Sequence, residues 1–73
     1  MTDFETSDLA LAAFLVARGH ALNDVRGAQG GRRVFYFTRE VQGDARAFYT
    51  GEVVGARAYA NALRDLKTLI RER

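Results

Sequence analysis

His20 is the only histidine of this 73-residue chain, Ser7 is the only serine, and there is no cysteine. A nucleophilic dyad needs its base within hydrogen-bond reach of the hydroxyl. Ser7 and His20 stand at opposite ends of a segment that reads as one helix, about 20 Å apart at ~1.5 Å per residue. No Ser–His pair can then form within one chain. The ordinary role for His20 is beside a helix end, hydrogen-bonding the last carbonyls. Glu40 and Asp44 lie four apart and share a helix face. A hard divalent cation takes about six to eight oxygens, and no third ligand is spaced to help them. A solvated face, or pairing with Arg39 or Arg46, produces the same pattern. No catalytic, metal or cofactor site assembles from these types, and the chain is read as non-enzymatic.

The remaining chemistry is cationic. Eleven basic residues face nine acidic ones, for a net charge of +2. Ten of the eleven are arginine, whose planar fork matches phosphate and stacks on rings. Asp3, Glu5 and Asp8 against Arg18 make the first eighteen residues acidic, so the excess lies in the rest. Two groupings stand out. Arg32 and Tyr36 share one face of an aromatic strand, with Arg33 beside them and Arg26 and Arg39 near its ends. Exposed rings and arginines on a sheet hold single-stranded nucleic acid by stacking and phosphate contacts. The strand nonetheless lacks the glycines of the RNA-recognition consensus. Further on, Arg57, Arg64 and Arg71 recur every seven residues, with Asn61, Lys67 and Thr68 among them. On a helix that is one basic stripe, suited to phosphates or simply to water. Twelve alanines and many arginines are also what a GC-rich coding sequence yields.

The elements that must carry these groups are legible from local chemistry. Thr6-Ser7-Asp8 offers N-cap oxygens before Leu9–Ala17, a run with no charge. Its apolar residues cover several faces, which predicts a helix buried on several sides. Gly19 is placed to terminate it in a left-handed conformation. His20–Arg26 and Arg32–Thr38 read as two strands of a hairpin joined by the turn Gly27-Ala28-Gln29-Gly30-Gly31. That turn lacks phosphate-loop spacing and precedes a strand, so it reads as a flexible connection. Leu22 and Val25 are three apart, which fits a strand only with a bulge. Val41, Ala45 and Phe48 predict a second helix over Arg39–Tyr49, weakened by Gly43 and closed by Thr50-Gly51-Glu52. Tyr59, Ala62, Leu63, Leu66 and Ile70 form the apolar stripe of a third, about Ala56–Arg71.

The expected fold is α+β: helix, antiparallel hairpin with a short N-terminal edge strand over Met1–Glu5, then two helices, packed on one sheet face. The expected core is Leu9, Leu11, Phe14, Leu15, Leu22, Phe35, Phe37, Phe48, Tyr59, Leu63, Leu66 and Ile70. No apolar run is long enough to span a membrane, and nothing reads as a signal peptide. A cysteine-free chain of this kind is expected in the cytoplasm.

Taken in order, these motifs resemble an uncharacterised bacterial and phage family, domain of unknown function 5659. The resemblance runs through Thr6-Ser7-Asp8-Leu9, Gly19-His20, Gly30-Gly31-Arg32-Arg33-Val34-Phe35, Tyr49-Thr50-Gly51-Glu52 and the segment Tyr59–Lys67. Gly55 departs from it, where a more polar lead into the helix, often with proline, is expected. The resemblance implies a phage or mobile-element context and no activity.

Function is therefore read from the surface. The first expectation is an accessory DNA- or RNA-binding protein using Arg32, Arg33, Tyr36, Arg57, Arg64, Lys67 and Arg71. The alternative is a protein–protein interaction module, a homodimer or part of a larger assembly, in which Val34, Tyr36 and Tyr49 meet the partner.

Overall fold

A computed structural model describes residues 4–27 and 32–71. The elements run β1 (Phe4–Thr6), α1 (Leu9–Ala17), β2 (Asp24–Gly27), β3 (Arg33–Phe37), a single 3-10 turn Arg39–Val41, α2 (Gln42–Tyr49) and α3 (Ala56–Arg71). The strands form one antiparallel sheet in the order β1-β3-β2. The α+β architecture and the antiparallel hairpin are as expected; the N-terminal edge strand is present but runs Phe4–Thr6, and residues 1–3 of the expected Met1–Glu5 lie outside the described residues. The turn between the strands falls mostly on residues 28–31, outside the described residues.

Local chemistry accounts for the ends of α1. Asp8 Oδ1 accepts from the backbone N–H groups of Ala10 and Leu11, at 3.0 and 3.3 Å. Thr6 Oγ1 in turn accepts from Asp8 N–H at 3.0 Å. At the other end Gly19 turns left-handed, with φ +99°. The Gly19 N–H then reaches the Val16 carbonyl, and the His20 N–H the Leu15 carbonyl, which also accepts from Arg18 N–H, so carbonyls of the last turn are satisfied. This cap corrects the first strand. His20 is held on the helix end, so residues 20–23 cross to the sheet without pairing as strand and β2 begins at Asp24. Leu22 therefore lies outside the strand, and just before β2 Asn23 N–H donates to the Tyr36 carbonyl at 2.8 Å. The second helix is also corrected. Thr38 makes no side-chain cap, and the first turn over Arg39–Val41 is 3-10 before α2 begins at Gln42.

Packing follows the alternation of β3. Phe35 and Phe37 point inward and are buried, with Val25 beside Phe35 on β2. Glu5, Arg26, Val34 and Tyr36 belong to the opposite sheet face. The helices lie on the inner side, and α3 packs mainly on α1. Five consecutive α1 residues, Leu11 to Leu15, are all buried, because sheet and helices enclose α1 on more than one side. Of the expected core, Leu11, Phe14, Leu15, Phe35, Phe37 and Leu66 are buried, and the other six pack half-buried against them. Val25, Val41, Ala12, Ala13, Ala45 and Ala62 complete the core. Among the described residues, no helix is long and apolar enough to cross a membrane.

Candidate functional site

Two glycine-terminated helix ends meet in the structure. α2 closes as α1 does: Gly51 has φ +87°, its N–H reaches the Phe48 carbonyl, and the Glu52 N–H reaches the Ala47 carbonyl. The residues just past each glycine, His20 and Glu52, are thereby aimed at one cluster. Arg18 donates to Asp44 Oδ1 at 2.8 Å and lies 3.6 Å from Glu52. His20 Nε2 donates to Asp44 Oδ2 at 2.6 Å, since a carboxylate only accepts. Arg18 also lies over the Phe14 ring, 5.4 Å from its centroid. The His20 side chain thus reaches α2 and leaves the carbonyls of α1 to its own backbone and that of Gly19. Asp44 thus bonds both Arg18 and His20, and no group of three or more potential metal ligands lies together among the described residues.

The hydrogen bond from His20, then that from Arg18, holds the Asp44 carboxyl below its usual range. A depressed carboxyl contributes stability above the unfolded value, about 3.9, and the contribution disappears as pH falls through the folded value. Asp44→Asn should therefore melt below the parent at neutral pH. The gap should close as the pH drops beneath 4 (about the unfolded carboxyl value), because the parent then loses the same charge. Thermal melts across an acid series check this; a gap constant with pH would remove the carboxylate's charge from the account.

The sheet grouping is less open than its composition implies. Tyr36 lies opposite Glu5 on one side and Asp24 on the other. Arg26 covers its ring at 5.0 Å and is itself held by Asp24 Oδ2 at 2.7 Å. Asp24 Oδ1 accepts the Val25 N–H at 2.8 Å, which occupies a backbone donor of the edge strand β2. Arg33 lies on the inner-facing register with Phe35 and Phe37, and its side chain passes Gly27. Arg32 is exposed and borders a shallow cavity of about 450 Å³ with Glu5, Thr6, Ser7 and Val34.

α3 presents a different surface. Ala62 and Leu66 are buried, and Tyr59, Leu63, Leu69 and Ile70 pack half-buried against the core. At ~100° per residue, Arg57, Asn61, Arg64, Thr68 and Arg71 fall within about 40° of a line opposite that stripe, and all are exposed. Lys67 flanks the line on one side and Asp65 on the other, both exposed. Arg64 donates to Asn61 Oδ1 at 3.0 Å. Among the described residues none of these four cations is ion-paired, whereas Arg18 and Arg26 are. The sheet grouping and the α3 stripe open on different sides of the molecule, because α3 lies on the side that Tyr36 and Arg32 face away from.

No family model, curated protein or solved structure matches the chain. The Arg18–His20–Asp44–Glu52 cluster was missed by sequence reasoning. Asp44 is 26 residues from Arg18 and 24 from His20, and only the matching glycine caps could have hinted that they meet.

Proposed function

We propose that this chain is a small non-enzymatic accessory protein that binds nucleic acid through the outward face of α3. Arg57, Arg64 and Arg71 make the contact line and Lys67 flanks it. One observation carries the reading: along a 16-residue helix these cations stand exposed, without an ion pair among the described residues, opposite the stripe that buries α3. Arg57 to Arg71 covers about 21 Å of axis, several phosphate spacings of a duplex. The sheet residues Arg32, Arg33 and Tyr36 contribute less to this reading. Two carboxylates flank Tyr36 and would repel a phosphate chain, and Arg26 already occupies its ring. A cytoplasmic location, a phage or mobile-element context and kinship with domain of unknown function 5659 are part of the same reading.

Binding should weaken linearly on a log–log salt plot, by about 0.9 in slope for each neutralised phosphate. Replacing Arg57, Arg64 and Arg71 together by glutamine should flatten the slope by about 3 and weaken binding to every sequence alike. Stability should hardly move, since exposed arginines contribute little. Fluorescence anisotropy with labelled oligonucleotides over a salt series measures both. A parent protein with no affinity at low salt for single or double strands would sink this reading. The interaction-module reading, as homodimer or assembly component, would then be preferred, with Tyr49 as its exposed apolar contact.

A further inference from the structure

Among the described residues the exposed large hydrophobic side chains are Tyr49, 69% exposed, and Val53, 82% exposed. Both lie where α2 hands over to α3. Tyr49 is the last residue of α2, and the Gly51 turn folds the Glu52 N–H back onto the Ala47 carbonyl. Val53 follows directly after that turn. Arg46 stands one turn earlier, its carbonyl accepting from Thr50 N–H, and is exposed. Arg57 follows Val53 by four residues, within about 14 Å of extended chain, and begins the α3 line. Glu52, the carboxylate in this turn, faces Arg18 at 3.6 Å.

Tyr49 does not project at random. Phe48 meets its ring edge-on at 5.3 Å and 78°, and Phe48 leans on the buried Phe14 at 5.2 Å and 57°. Three rings thus run from the core to the surface, and the outermost is held in place with most of its area in water. A ring fixed in this way has already lost the freedom that binding would remove. Along the chain it stands between exposed arginines, Arg46 three residues before and Arg57 eight after, with the exposed Val53 four residues on. That combination is complementary to a nucleotide, which has a flat apolar face between two phosphates. Duplex bases, stacked internally, offer such a face only at their ends.

We infer that Tyr49 is a base-stacking platform, that Arg46 and Arg57 receive the adjoining phosphates, and that the ligand of the α3 surface is a single strand. This rests on the nucleic-acid reading of α3 and names its substrate class. The test is anisotropy with a labelled oligothymidylate and with a blunt duplex of equal length, using the parent, Tyr49→Ala, Tyr49→Phe and the triple glutamine variant. The parent should prefer the single strand. Tyr49→Ala should weaken that affinity about tenfold, within the range measured for base–aromatic stacking, and barely change duplex binding. Tyr49→Phe should retain the preference, because the face of the ring acts and not its hydroxyl. The triple variant should bind both ligands more weakly, with all variants melting near the parent. Single-strand affinity unchanged in Tyr49→Ala, or duplex affinity falling equally, overturns the inference. So does a parent that binds only duplex, an outcome that leaves α3 as a phosphate-binding face. Binding to neither ligand removes the α3 reading itself.

Discussion

Phe37→Ala should leave this protein largely unfolded at room temperature. Phe37 is 0% exposed and lies in the central strand, opposite Phe4 on β1. Its ring belongs to the single core that joins the sheet to α1 and α3. Truncating a buried phenylalanine removes its transfer free energy and leaves a cavity that the surroundings refill only in part, about 3–5 kcal/mol together. A chain of this length derives about the same amount from one core, and no disulfide reinforces it. Far-UV circular dichroism with urea titration checks the result. A cooperative transition close to the parent's would mean that the site collapses around the missing ring.

Ala13→Leu should be nearly as damaging, though it adds apolar surface. Ala12 and Ala13 are 0% exposed, in the middle of the five consecutive buried residues of α1. α3 lies closely against α1 and brings Ala62, also buried, to the shared core. Small side chains let two helix backbones approach toward the short end of the usual ~8–10 Å range. Three extra carbons at the fully buried Ala13 must displace neighbours, so helices or rotamers shift, at about 1–3 kcal/mol. The exposed Ala60, on the outward side of α3, is the control: Ala60→Leu should leave the melting temperature within a few degrees. If both variants melt alike, the alanines of α1 are tolerated composition and not a packing requirement. The experiment bears directly on whether the alanine content reflects base composition or the spacing of helices.

Much of the fold could be read along the chain because it rests on short-range chemistry. Asp8 caps α1 through the N–H groups two and three residues ahead, and Gly19 ends it through a conformation that other residues avoid. Alternation along Val34–Phe37 assigns Phe35 and Phe37 to the core, since a strand has only two faces. The α3 stripe follows in the same way from a 3.6-residue period and an apolar side that must be covered. The start of β2 was not legible, because it depends on how far the capped end of α1 stands from the sheet.

Site chemistry divides along the same line. That Arg57, Arg64 and Arg71 share a face is a property of the helix alone. Whether an arginine is available is not. Arg18 and Arg26 have the same side chain, yet Asp44 takes one and Asp24 the other. Tyr36 and Tyr49 are both aromatic with arginines nearby in sequence; strand pairing puts Tyr36 beside Glu5 and Asp24 under Arg26, while the α2 cap holds Tyr49 out. The sequence by itself determined α1, α3, the β3 facing and the line of cations, because each depends on neighbours within one or two turns. The tertiary structure decided which charges are neutralised and which rings are covered. Those outcomes depend on distances of about 3–5 Å between residues that the chain brings together only after the core has formed.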